Sequence, residues 1–292
     1  MVIIEAVLHY SPGQSPNGKK NLRHMKQIAI VSLIVLSVTG CAAKKNKTTF
    51  LNYTQSAAAL YEEGVIAYER ERWTDALDRF SQVVTDFPYS RYAPLAELKT
   101  ADCHFFQGSH PEAAVEYEQF LKAHPTHPMA HYAAFMKSRA YYEQIPGEFF
   151  ITPPAHERDQ TATRDARSAL AKFIRTWPDS EHMPAAKELY VEVESALVRH
   201  ELYVADFYLH RDKRNAAALR LDSVAKQFPG SPLVPDAMFL EAITYLEMGR
   251  KEHAERIFNQ IISLFPDNHQ AVRARRYLDA LATSDEEGKN NG

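Results

Sequence analysis

The chain holds few side chains that could do covalent chemistry, and their settings differ. There are two cysteines, Cys41 and Cys103. The thiolate is the reactive form, and it needs an exposed, electropositive setting. Cys103 stands in Asp102-Cys103-His104-Phe105, inside a helical pattern, where a buried filler is expected. Cys41 instead follows an apolar run, in Val38-Thr39-Gly40-Cys41. Two cysteines are too few for a disulfide framework or a four-cysteine zinc site. His124, His127 and His131 lie close in sequence, but His124 and His127 flank a turn bounded by Pro125 and Pro128, and no metal site is assigned to them. There is no Gly-x-Ser-x-Gly, His-Glu-x-x-His, P-loop or dinucleotide fingerprint. Ten glycines in 292 residues leave no phosphate-cradling loop. No catalytic residue and no cofactor are assigned, and the chain reads as a non-enzyme.

Cys41 has to be delivered to a membrane surface, and the residues before it are built for that. Lys19, Lys20, Arg23 and Lys26 precede an apolar run from Ile28 to Val38. A run of that length is too short to cross a bilayer core, which needs ~20 residues, and it fits a signal-peptide core. Val38-Thr39-Gly40-Cys41 resembles the bacterial lipobox. Cleavage before Cys41 would free an amine for a further acyl chain, and several chains give stable anchoring where one is marginal. Ala42 follows in place of the Asp that in many such lipoproteins means retention at the inner membrane, which favours the outer membrane. Met25 is the expected start, with residues 1–24 a mis-called extension, 25–40 the signal peptide and 41–53 a lipidated polar tether. Four of the 34 Lys/Arg and one of the 37 Asp/Glu lie within 1–40, so the net charge moves from −3 for the chain to −6 for 41–292. Nucleic acid is not an expected partner at that charge.

The elements that follow repeat. An aromatic residue or His precedes Pro at Phe87-Pro88, His124-Pro125, Trp177-Pro178, Phe228-Pro229 and Phe265-Pro266. Twelve residues before each Pro stands Ala: Ala76, Ala113, Ala166, Ala217 and Ala254. Eight before stand Phe80, Tyr117, Leu170, Leu221 and Phe258. Five before stand Val83, Phe120, Phe173, Val224 and Ile261. Positions four and seven apart share one helix face, and Pro ends the helix because it lacks a donor and biases the preceding residue away from helix. Gly64, Ala101, Ala205 and Ala242, twenty-four before, are small enough for two helices to approach closely. Ser90, Ser180 and Ser231 are expected N-caps for the helix after each turn.

This is the pattern of tetratricopeptide repeats, in which single units cannot bury their apolar faces and must stack. The fold class is all-α: a solenoid of about five helix pairs plus a closing helix. Pairs are predicted at 55–69/73–86, 91–107/110–123, 128–143/162–176, 182–210/213–227 and 233–248/251–264, with the closing helix at 268–282. Residues 144–161, with Pro146-Gly147 and Pro153-Pro154, are expected as an insertion loop between an N-terminal lobe (54–143) and a C-terminal lobe (162–282). The tail 283–292 is expected to be disordered. The first lobe is rich in aromatic residues, more than its core needs, and an aromatic groove is expected there.

The lipobox and the repeats, with an insertion in the third, resemble the BamD family (also YfiO or ComL), lipoproteins of the outer-membrane β-barrel assembly machine. The segments that carry the resemblance are His124-Pro125-Thr126-His127-Pro128, Arg158-Asp159-Gln160-Thr161, Phe173 with Trp177-Pro178-Asp179-Ser180, and the helix ending in Tyr203 and Phe207-Tyr208. The resemblance implies a non-catalytic scaffold on the periplasmic face of the outer membrane, held by lipid on Cys41. It implies partners: BamA, docked through its POTRA region by the C-terminal lobe, other assembly-machine lipoproteins, and unfolded barrel precursors received by the N-terminal lobe. Arg220 falls where the family has an Arg contacting BamA. Trp73, Phe87 and Tyr92 are the substrate-groove candidates. The same anchor and repeats would also suit a scaffold of another envelope system, such as a pilus secretin or polysaccharide export. The insertion and Arg158-Asp159-Gln160-Thr161 favour the first.

Overall fold

The computed structural model describes residues 45–147 and 153–290, with side chains over 51–147 and 153–283. Cys41 and the expected segments 1–24 and 25–40 lie outside the described residues. Among the described residues there are eleven α-helices, one 3-10 turn and no strand. The helices are α1 (Lys45–Glu69), α2 (Trp73–Asp86), α3 (Ala93–Phe106), α4 (His110–Ala123), α5 (Ala130–Tyr142), α6 (Thr161–Thr176), α7 (Met183–Leu209), α8 (Arg214–Gln227), α9 (Val234–Glu247), α10 (Lys251–Leu264) and α11 (His269–Asn290). Residues 57–292 form one unit, in which each helix packs on the next along the chain.

The register read from the sequence is the core of this unit. The Ala and the two large residues of every repeat lie on α2, α4, α6, α8 and α10, and each is at most 2% exposed. Ala101, Ala205 and Ala242 are fully buried on the facing helices α3, α7 and α9. In the first repeat the same place is held by Gly64, and a Cβ there would meet the Phe80 ring at 2.6 Å. The aromatic or His before each Pro leaves its helix with φ between −127° and −133°. That backbone change stops the helix, as a following proline requires.

The turn inside four of the five helix pairs is also repeated; the third pair carries the insertion instead. Seventeen residues before the Pro, the backbone is left-handed at Glu71 (φ 56°), Gly108 (82°), Asp212 (59°) and Gly249 (72°). The next residue donates its N–H back across the turn: Arg72 to Ala67 O at 3.0 Å, Ser109 to His104 O at 2.9 Å, Lys213 to Tyr208 O at 3.0 Å and Arg250 to Tyr245 O at 2.9 Å. This is the Schellman closure that satisfies a helix C-terminus. Two glycines announce it in the sequence; Glu71 and Asp212 adopt it at a steric cost.

Several expectations are corrected. Helix α1 begins at Lys45, ahead of the expected start at 55, and takes in residues 45–53 of the expected tether; no Gly or Pro interrupts 45–63. Helix α11 runs to Asn290, past the expected end at 282. The serines are not N-caps. The N-cap positions are Tyr92, His182 and Leu233, none with a side-chain cap. Ser180 Oγ instead accepts from His182 N–H, and Ser231 Oγ from Leu233 N–H, both at 3.2 Å, closing the turn one step before the helix.

The insertion is not wholly irregular. Ala155–Glu157 forms a 3-10 turn. Its end is held by Gln160, whose Nε2 donates to Ala155 O and Arg158 O at 2.8 Å, while its Oε1 accepts from Thr163 Oγ1 at 3.1 Å. The turn rests on α7, where His156 O meets His200 Nδ1 at 2.7 Å and the His156 ring meets Tyr203 edge-on. The apolar core does not part at this insertion. One cluster runs from Leu98 to Val193, across 144–161, and the next begins at Leu197. Both Val193 and Leu197 lie on α7, whose 27 residues make a rod of ~40 Å.

Candidate interaction surfaces

The sequence candidates fall in three places on residues 57–292. Trp73 opens α2. Its ring stacks on Phe106, the last residue of α3, at 5.7 Å and 16°, and meets Tyr68 of α1 edge-on at 5.3 Å. Phe105 adds an edge contact to Phe106 at 5.4 Å. The Lys99 ammonium lies 4.3 Å over the Tyr68 ring and pairs with Asp102 at 2.9 Å. Phe106 remains 49% exposed, which gives this end of the first two repeats an aromatic shelf. Nothing in the sequence pairs Phe106 with Trp73.

Phe87 and Tyr92 are elsewhere. Phe87 ends α2, so the fourteen residues of that helix put it ~20 Å from Trp73. Tyr92 packs on Tyr61 at 5.5 Å, and Arg91 Nη2 donates to its hydroxyl at 2.8 Å. Between them Tyr89 is 95% exposed. The three groove candidates therefore do not line one site. Trp73 belongs to the shelf, and Phe87 and Tyr92 flank a protruding Tyr89 at the opposite end of α2.

A buried polar hub lies under the shelf. Asp102 is fully buried and accepts from Tyr117 Oη at 2.7 Å, Tyr132 Oη at 3.0 Å and Lys99 Nζ at 2.9 Å. Burial, with the Asp102 charge beside them, pushes both tyrosine hydroxyls well above their ordinary range. They stay protonated donors. Burial likewise pushes the Cys103 thiol up to about 12, as its expected role as filler requires.

Arg220 lies on α8, half exposed, with Nη1 3.3 Å from Glu201 Oε2 of α7. Glu201 in turn lines an open cleft of about 510 Å³ with Arg164, Arg167, Lys172 and Arg175 of α6 and with Phe228. Arg167 is committed to structure. It makes two hydrogen bonds to Glu194 Oε1, at 3.1 and 2.9 Å, and packs on Phe228. Glu194 is fully buried, and its other oxygen accepts from Gly230 N–H at 3.0 Å. That junction holds α6, α7 and the α8–α9 turn together. Arg164, Lys172 and Arg175 are exposed along α6 and make the cleft a basic surface. The repeat pattern showed α6 as a helix but not that its charged face would meet Glu201.

No described helix is long and apolar enough to cross a membrane. Known proteins are similar to this chain over most of its length. The outer membrane protein assembly factor BamD of Caulobacter vibrioides is 29% identical over 247 residues, covering 85% of this chain and 78% of its own. The protein of the same name from Neisseria meningitidis strain Z2491 is 25% identical, covering 83% of this chain and 92% of its own. A solved tetratricopeptide-repeat protein of Thermus thermophilus covers 76% of this chain and 98% of its own at 19% identity and a TM-score of 0.34. The repeat architecture accordingly rests on the helix pairs themselves. The family described as YfiO, outer membrane lipoprotein, matches residues 53–261, from the first repeat into the last. With that span matched, the chain belongs to the YfiO family of outer membrane lipoproteins.

Proposed function

We propose that this chain is a non-catalytic scaffold for the assembly of β-barrel proteins into the outer membrane, anchored on the periplasmic face by lipid on Cys41. Its C-terminal lobe docks the POTRA region of BamA around Arg220 and the basic cleft beside it. Its N-terminal lobe receives unfolded barrel precursors, with the Trp73 shelf as the aromatic contact. Other lipoproteins of the same machine are further partners. The observation that carries this reading is the family match over 53–261, which takes in the shelf, the cleft and Arg220. In this reading the basic cleft adds charge selection to the docking, because a basic surface selects an acidic partner and repels a basic one.

The test is a mild-detergent pull-down of the tagged chain from native outer membranes, with partners identified by mass spectrometry. BamA in near-equal amount is the expected result. A secretin or export channel in its place would overturn the reading. In the same membranes Arg220→Glu is expected to lower BamA recovery with helicity unchanged, and unchanged recovery would remove Arg220 from the interface. Cys41→Ser is expected to abolish labelling by a palmitate analogue; labelling that persists would overturn the anchor.

A further inference from the structure

His131, which the sequence groups with His124 and His127, is separated from them in the fold. His124 pairs with Glu97 at 2.8 Å, and its ring and that of His127 both pack on Phe120. His131, in the first turn of α5, instead faces the turn between α6 and α7. There it meets Glu181 and His182, fifty residues on in the chain. One ligand atom from each of the three lies within 4.8 Å of the others.

We propose that His131, Glu181 and His182 bind a late first-row divalent cation of the Zn²⁺ class, which ties the start of α5 to the turn that opens α7. Two imidazole nitrogens and one carboxylate oxygen are a donor set for Zn²⁺, Co²⁺, Ni²⁺ or Cu²⁺. Mg²⁺ and Ca²⁺ prefer oxygen throughout. With bonds of ~2.0–2.1 Å, donors around such an ion stand ~3.4 Å apart. His182 Nε2 and Glu181 Oε1 are already 3.7 Å apart. Closing the set takes shifts of at most ~1.4 Å, shared between the exposed Glu181 side chain and the partly exposed His131 ring.

The two rings are held ready. His182 stacks flat on Phe135 at 4.7 Å and 6°, and lies 5.7 Å from the His131 ring at 29°. Ser180 Oγ, 3.3 Å from His131 Nδ1, can fix the tautomer of that ring, as the outer partners of metal-bound histidines do. His182 Nε2 is enclosed, yet it has no hydrogen-bond partner. A buried ring nitrogen without a partner is a cost, and a cation between the three side chains removes it. A cavity of about 420 Å³, lined by His131, Trp177, Asp179, Ser180 and Glu181, opens the site to solvent. It offers an entry path and room for a water as fourth ligand.

The proposal is independent of the assembly role, because the pull-down above does not depend on metal. The full lipidated chain in detergent is stripped with EDTA, desalted and titrated with Zn²⁺ by calorimetry; Co²⁺ is then read by its visible d–d absorption. One Zn²⁺ per chain is expected. Glu181→Gln, at an exposed position that leaves folding intact, is expected to weaken binding at least about tenfold. His131→Gln and His182→Gln are expected to abolish the Co²⁺ band. Zn²⁺ is expected to raise the melting temperature of the natural chain and not of His131→Gln. No saturation at one equivalent, or an affinity in Glu181→Gln and His131→Gln equal to that of the natural chain, would overturn the proposal, whether or not His182→Gln folds.

Discussion

Gly64 of α1 lies so close to the ring of Phe80 on α2 that a methyl group there would sit 2.6 Å from Phe80 Cε1. The other repeats for which the pattern holds carry Ala at the same place, in the same buried clusters as Tyr117, Leu221 and Phe258. Helix propensity favours Ala over Gly by ~1 kcal/mol, while forcing an extra carbon into a full core costs about 1–3 kcal/mol. Phe80 is fully buried and has nowhere to retreat. Gly64→Ala is therefore expected to destabilise by up to about 2 kcal/mol, read as a lower urea midpoint at unchanged slope. A higher midpoint would mean that Phe80 repacks freely.

The turn inside the helix pairs makes an opposite prediction. Glu71 and Asp212 hold the left-handed backbone that Gly108 and Gly249 hold elsewhere. A non-glycine residue there costs ~1 kcal/mol or more. Asp212 also pairs with Arg214, but an exposed pair contributes little. Glu71→Gly and Asp212→Gly are each expected to raise stability by about 0.5–1 kcal/mol, and Gly108→Ala to lower it by a similar amount, all measured by chemical denaturation.

Glu241 on α9 gives the fold a pH dependence. Its burial, with the charge of Asp222 second, pushes the carboxyl up to about 7, while Lys226 pulls the other way. The folded state thus keeps a proton that the unfolded chain releases near pH 4.5. Between those values the unfolded state binds fewer protons, so stability from this group is present in acid and falls as the pH rises toward 7. Glu241→Gln is expected to remove that slope and to stabilise the chain at pH 8 by about 3 kcal/mol. Melting curves from pH 5 to 8 would check it; parallel curves for both chains would remove Glu241 as the cause.

The two ends of α2 can be told apart. If the shelf receives precursor segments, Trp73→Ala should weaken binding of a peptide ending in an aromatic residue by about tenfold, as loss of a central aromatic anchor does. Tyr89→Ala, at the opposite end, should change it less than about twofold. Fluorescence anisotropy with such a peptide measures both. The reverse ranking would move the groove to the Phe87–Tyr92 turn.

The fold was legible where a position is fixed by size. Ala76 with Phe80 and Val83, and their counterparts in each repeat, had to share a face, and Pro had to end it. Polar side chains were less legible. Ser180 and Ser231 have the chemistry of caps, but their hydroxyls close a turn two residues long, and sequence distinguishes the two poorly. The surfaces were legible only in part. Arg220 stands in the sequence as a lone cation, whereas its pairing with Glu201 and its place beside the α6 cleft depend on how three helices meet. The stacking of Trp73 on Phe106 and the meeting of His131 with His182 join residues from different repeats, which no local pattern encodes.

Helix α7 contributes Val193 to one apolar cluster and Leu197 to the next, a single turn apart. Repeat arrays ordinarily fray from their ends, because each unit touches only its neighbours. Here a break between the two blocks would have to melt an unbroken rod of 27 residues. The amides from Val193 to Leu197 should accordingly exchange with solvent only when both of these clusters open, and a load applied at α8 would reach α5 without passing through a flexible joint.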